Sequence, residues 1–322
     1  MTYSSGGLIQ ATDYNGFVST TSGANINDIW STGSSDKGYG QSAISTVSAA
    51  GTITATQWAT LVNTLSSLGS QTGTTLTART APTAGTLISI LAAVNTDITN
   101  VTTNRNNAVA VGSQFTGWTG TNSKTAATSG ATWTITFTNT VTFASANAAR
   151  YFFNGGGLIK LDVSKTATGD LGDPEWNDLA NTLCGDIWFS GAAASHTIAA
   201  TAYTGTTKIG GTGTPNTLST ATGFFALTPG AAATIIYKQF ADTAPYTSNF
   251  IQHSVALNAG STALTFTTLW SASDGDAISG GTAASGATPG TAPCTICTYY
   301  PPSTTYLTSA SWGTPTVAAT TV

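Results

Sequence analysis

Charge is what this sequence has least of. Nine basic and thirteen acidic residues make up 7% of a 322-residue chain, where soluble domains carry about 25%. Glu175 is the single glutamate, and His196 and His253 are the two histidines. Proton transfer, metal binding and the stabilisation of developing charge all draw on ionisable side chains, so the composition argues for a non-enzymatic part without a cofactor. The basic residues are scattered, none follows Lys238, and the pI is near 4.8; that leaves no electrostatic footprint for nucleic acid. No run approaches the roughly 18 apolar residues that cross a bilayer. The opening MTYSSGGLIQ lacks the basic and apolar regions of a secretory signal. Neither membrane insertion nor export by that route is expected. Cysteine is equally scarce: Cys184 stands alone, and Cys294 with Cys297 forms one Cys-Thr-Ile-Cys pair. A zinc site would need two further ligands, so a local disulfide and two inert thiols are the open readings.

Thr, Ser, Ala, Gly and Asn fill the space that charge leaves. With 40% apolar residues, eight Trp and twelve Phe the chain can build a substantial core. Mean hydropathy is +0.10 and the formal charge −4, the opposite of the low hydropathy and high net charge that keep a chain disordered. Few like charges also make it cheap to pack copies side by side, so self-association is expected.

The periodicity predicts an α+β protein: an N-terminal helical region followed by a mainly antiparallel β-sandwich or barrel with short helices. Residues 1–115 form the helical attachment or oligomerisation region, 130–270 the β-rich domain, and 271–322 an extended segment packing on neighbours. The strongest helix starts where Thr54 and Gln57 make a capping box and Ile53 and Trp58 a hydrophobic staple. Trp58, Leu61, Val62, Leu65 and Leu68 follow at helical spacing, with Gly69 as the expected stop. Leu87, Leu91, Val94, Ile98, Val101, Arg105 and Ala108 then alternate four and three apart, an a/d seam of roughly 33 Å at 1.5 Å per residue. This seam is either one side of an intramolecular hairpin against the Trp58 helix or an interface shared by identical chains. On the second reading Trp58, Leu61, Leu65, Leu87, Leu91, Val94, Ile98 and Val101 are the oligomer-interface residues, with a trimer favoured.

Beyond a Gly, Ser, Thr and Asn-rich stretch at 110–130 the period becomes two. From Trp133 to Phe143 nearly every odd residue is apolar and every even one Thr, as in strands with one buried face. Ile159, Leu161 and Val163 repeat the pattern. Further strands are expected at 186–190, 197–203, 224–228 and 233–240, and a hairpin from 250 to 270 turning at Asn258–Ser261. Short helices are expected from Ser145 through Phe153 and from Asp173, where Pro174 occupies the first turn and Gly185 lies past the end.

Candidate chemistry is thin. Asp170, Asp173, Glu175 and Asp178 stand close, as do Asp274 and Asp276, but Asp173 reads as a helix cap, Glu175 as a first-turn acid and Asp274-Gly-Asp276 as a turn. His253 shares the apolar face of a strand with Ile251, Val255 and Leu257 and reads as a satisfied interior histidine. His196 has no serine in a nucleophile-elbow context. Asn154-Gly155-Gly156-Gly157 follows a helix and precedes a strand, the reverse of a phosphate loop, and reads as a tight turn. The Thr rows lack the fixed repeat that an ice-binding plane requires.

The segment Ser145-Ala-Asn-Ala-Ala-Arg150-Tyr151-Phe152-Phe153-Asn154-Gly155-Gly156-Gly157 resembles one found in virion structural proteins of tailed bacteriophages, of the marine and cyanobacterial type. Asp36-Lys37-Gly38-Tyr39-Gly40-Gln41, the Ile53–Trp58 helix start, Tyr203–Gly211 and Pro301–Leu307 resemble the same group. No catalytic residues come with this likeness. It implies a tail-associated fibre, baseplate or collar protein that is located in the virion and assembled in the host cytoplasm. Its expected partners are copies of itself, other virion proteins and a host surface glycan. A capsid decoration or surface-lattice protein and a polysaccharide-cleaving tailspike are the alternatives.

Overall fold

The computed structural model describes residues 10–19, 25–49, 51–85, 91–121, 132–166, 173–273, 278–279, 282–283 and 293–321. Helices α1 (Ala11–Val18), α2 (Asn27–Trp30), α3 (Ala55–Thr72) and α4 (Leu91–Thr103) come first. The α3 start is the predicted capping box: Gln57 N donates to Thr54 Oγ1 at 3.2 Å, and Thr54 N to Gln57 Oε1 at 2.8 Å. Its end differs. The helix runs through Gly69 and stops at Gly73, whose φ of 67° is left-handed. Leu76 packs on the helical Gly69, where a Cβ would lie 2.6 Å from Leu76 Cδ1.

The remaining elements are β1 (Phe115–Thr121), β2 (Trp133–Thr142), α5 (Ala146–Asn154), β3 (Leu158–Lys165), α6 (Asp173–Asp178) with a π-helical continuation Leu179–Cys184, β4 (Asp186–Phe189), β5 (His196–Ile198), β6 (Thr201–Tyr203), β7 (Thr206–Ile209), β8 (Thr217–Leu218), β9 (Thr234–Phe240), β10 (Phe250–Leu257), β11 (Ala263–Ala272), β12 (Ile278–Ser279), β13 (Thr282–Ala283), β14 (Pro293–Tyr300) and β15 (Thr316–Thr321). Two main sheets result, in the orders β1-β14-β3-β4-β7 and β15-β2-β11-β10-β9-β8, with every pairing in them antiparallel. Phe189 of one sheet meets Phe266 of the other edge to face at 5.3 Å, so the two inner faces share a core. The sheets also adjoin at both margins. β1 runs beside β15, where Gly117 admits Val317 so closely that a Cβ would come within 2.3 Å, and β7 runs beside β8.

Three expectations change here. Residues 224–226 form a 3₁₀ turn, not a strand, because Phe224 stacks on Phe153 at 4.6 Å while Phe224 N and Phe225 N bond the Ser190 and Gly191 carbonyls. The stretch 197–203 folds back as the β5–β6 hairpin over Ala199 and Ala200, at φ 48° and 66°. The division into a helical region, a β domain and an outlying C-terminal segment gives way to one body. Tyr14, Trp58, Val101, Phe137, Phe266, Tyr299 and Trp312 all belong to one buried cluster. β14 is interior to its sheet, between β1 and β3, so residues 293–300 pack within their own chain.

The junction that unites these parts is built from the motif segments. Asp36 forms an ion pair with Arg105 at 2.7 Å, and Tyr39 Oη donates to the Arg105 carbonyl at 2.6 Å. Arg150, on α5, donates to the Ser35 and Thr32 carbonyls at 2.6 and 2.8 Å; Asn154 Nδ2 donates to those of Asp36 and Gly38 at 2.6 and 3.0 Å. Gly40, at φ 70°, lies against Tyr151, where a Cβ would come within 2.4 Å of the ring. Gln41 bonds Thr308 through both ends of its amide: Nε2 donates to the carbonyl at 3.3 Å and Oε1 accepts from the backbone N–H at 2.9 Å.

Candidate functional site

The seam residues are interior to the single chain. Trp58, Leu61, Leu65, Val94, Ile98 and Val101 are each at most 1% exposed and lie in the common core. Trp58 packs edge-on against Tyr14 and Phe17, with ring centroids 5.4 and 6.1 Å apart. The hairpin alternative is therefore the one the fold adopts, and these six side chains are not available to a sister chain. Leu87 lies outside the described residues, and Leu91 begins α4. Arg105 reaches outward to Asp36.

The acids sort into two kinds. Asp28 pairs with Lys37, Asp36 with Arg105, Asp97 with Arg79, and Asp162 and Asp186 share Lys160; Asp13 accepts the Gln10 N–H at the start of α1. Glu175, Asp178 and Asp242 have no basic partner among the described residues, yet they lie close enough that Asp178 and Asp242 both disfavour ionisation of Glu175. Asp170, Asp274 and Asp276 lie outside the described residues, and Asp173 begins α6. Sequence spacing brought Glu175 and Asp178 together; Asp242 joins them only because the chain leaving β9 passes α6, which no local pattern signals.

Asp242 lies on the rim of an open polar cleft of about 660 Å³, together with Thr212, Thr214, Asn216, Gln239 and Thr247. Gln239 is 4% exposed, and its Nε2 donates to the Phe240 carbonyl at 2.9 Å while Oε1 has no partner. Glu175, 5% exposed and likewise holding an unpartnered Oε1, sits behind the rim and does not line the cleft. Burial first, and then the Asp178 and Asp242 charges, raise its pKa to about 7, against hydrogen bonds from Thr243 that pull it down. Glycoside hydrolysis needs two carboxyls facing one opening; among the described residues Asp242 is the one carboxylate that lines this cleft.

That raised pKa fixes a sign. Between the ordinary glutamate value of about 4.5 and about 7, the folded chain holds a proton that the unfolded chain has released. Stability from this group is complete below pH 4.5, declines as pH rises to 7, and changes no further above it. At about 1.4 kcal/mol per unit the loss amounts to roughly 3 kcal/mol. Neutral burial of His253 makes stability rise up to about pH 6.5 in native chain and variant alike, so the Glu175 effect is read as a difference: in urea unfolding from pH 4.5 to 8, the stability of the native chain relative to Glu175→Gln is expected to fall as pH rises to 7 and then level off.

The histidines and thiols are interior. His253 is 1% exposed, its Nδ1 lies 2.9 Å from Thr268 Oγ1, its ring stacks on Tyr237 at 5.6 Å, and burial pushes its pKa down to about 3. His196 Nδ1 lies 2.8 Å from the Ala194 carbonyl. Cys184, Cys294 and Cys297 are free and buried. Cys294 and Cys297 stand three apart on β14, so they point to opposite sheet faces and cannot bond each other. Burial raises Cys184 and Cys297 to about 12. Among the described residues no group of three or more His, Cys, Asp or Glu is arranged to hold a metal ion, and no helix is long and apolar enough to cross a membrane. No protein-family model, curated protein or solved structure matches the chain.

Proposed function

We propose that this protein is a non-enzymatic structural component of a tailed-phage virion, built into the particle beside copies of itself and other virion proteins. The observation that carries the reading is the junction of the motif segments. In the stretches that resemble virion proteins, Tyr39, Gln41, Arg150 and Asn154 direct donors at backbone carbonyls of distant segments. Side chains used in this way fasten a shape and leave no chemistry over, as a particle component requires.

The interior position of the seam bears on which part of the particle this is. A fibre stem would share Leu65, Ile98 and Val101 between chains, and these are used within one. Contacts between copies then fall to the outer surface, where Val109, Phe115, Ile209, Ile235 and Tyr306 are exposed. That favours a capsid decoration or surface-lattice role, with lateral contacts and no shared helix, over a trimeric fibre.

Immunogold labelling of gradient-purified particles tests the proposal. Antibody against the chain is expected to decorate intact particles at regular positions. Its absence from particles, with the chain free in the lysate, would end the reading.

A further inference from the structure

The outer faces of the two main sheets are unlike. On the five-stranded sheet, Lys160 stands on the side away from the shared core and pairs with both Asp162 and Asp186. The strands of the six-stranded sheet hold a single Lys, Arg, Asp or Glu, which is Lys238 on β9. Its ammonium lies over the Phe250 and Phe240 rings at 3.7 and 4.4 Å. The rest of that face is neutral. β2 turns a Thr outward at every even position from Thr134 to Thr142, and β11 sets Thr265 and Thr267 opposite Thr140 and Thr138. Larger apolar groups stand among the hydroxyls: Leu269 on β11, Phe250 on β10 and Ile235 on β9. All of these outward side chains are exposed or half-buried. We infer that this face is the contact with a second copy of the chain, packed sheet on sheet about a two-fold axis that runs along the strands.

The occupant follows from the chemistry of the face. A hydroxyl both donates and accepts, so a Thr array can satisfy an identical array, and a neutral face does not repel its twin. The size also fits. Five strands, β15, β2, β11, β10 and β9, of six to ten residues each, at about 4.8 Å between strands and about 3.4 Å per residue, make a face on the order of 700 Å². A standard stable interface takes about 800 Å² from each partner, so nearly the whole face is needed, as an isologous contact provides. The three pairings from β15 to β10 run without a register shift, which leaves a regular surface for aligned packing. With the axis over β11, the central strand of the five, β9 of one copy lies over β15 of the other. The two Lys238 ammonium groups then fall at opposite edges, in the polar rim that interfaces keep. This deepens the reading that copies sit side by side, and rests on it.

Sedimentation of the full chain up to about 100 µM, above the micromolar Kd that bounds interfaces of this size, is expected to show the mass rising from 32.4 kDa to twice that value. Thr267→Lys sets two ammonium groups against each other at the axis and is expected to weaken association at least tenfold. Thr60→Lys, on the exposed side of α3, is expected to leave it unchanged. A milder pair of variants guards against misfolding. The native thiols are buried, and stacked sheets lie about 10 Å apart, so a short bis-maleimide is expected to join two copies of Thr267→Cys. It is expected not to join Ala318→Cys, whose two thiols would be roughly 19 Å apart, four strand spacings. The inference is overturned if the chain keeps the mass of one copy throughout, if folded Thr267→Lys associates as tightly as the native chain, or if Ala318→Cys is joined and Thr267→Cys is not. A monomer whose antibody still decorates particles would remove this contact and keep the virion role; a dimer absent from particles would do the reverse.

Discussion

Replacing Asp97 with alanine is expected to cost about 3–5 kcal/mol of folding stability, the range for breaking a buried ion pair from one side. Asp97 and Arg79 side chains are 3% and 7% exposed and bonded to each other. The same carboxylate accepts the Thr77 N–H at 3.2–3.3 Å and the Thr77 hydroxyl at 3.4 Å. Alanine leaves a buried guanidinium with no counter-charge and a backbone N–H with no acceptor, and the segment after α3 loses its tie to α4. Removing both charges is a different experiment. Arg79→Met with Asp97→Leu takes away the desolvation cost along with the attraction, so the double variant is expected to recover most of the loss. Urea midpoints of the two variants and the native chain measure both effects; a double variant as unstable as Asp97→Ala would contradict the account.

The second large effect is at Trp58. Trp58→Ala opens a cavity beneath Tyr14 and Phe17 and is expected to cost about 3–5 kcal/mol, the usual range for deleting a buried indole. The informative readout is paired. Thermal melting should shift down by several degrees, while light scattering of the folded variant gives the same mass as the native chain, because the indole is in no interface. A change in mass at unchanged melting temperature would restore the shared seam.

The two sites mark where sequence reading works and where it stops. The Thr54–Gln57 box, the Trp58–Leu68 face, the alternation from Trp133 to Val141 and the Asn258 turn are local: each needs only the spacing of a few residues, and each appears where expected. Asp97 is the contrary case. On the heptad it takes an outer position, and it becomes buried because residues 77–79 return across α4, a contact set by loop path. In the candidate site, Glu175 and Asp178 were legible as neighbours on one helix. The rim of Asp242, Gln239 and Asn216 was not, since the stretch before β8 and the end of β9 reach it from separate parts of the chain.

By itself the sequence determined the α+β composition, the starts of α3, α5 and α6, the two-residue period of the strands, and the scarcity of charge. Tertiary structure alone decided that α3 and α4 bury their seam inside one molecule, that residues 293–300 form an interior strand, and that three acids collect without a counter-ion. The reason is one of range. Capping and periodicity act over a few residues of chain, whereas which face covers which, and which charges are left unpaired, depends on long-range packing that the sum of local preferences does not specify.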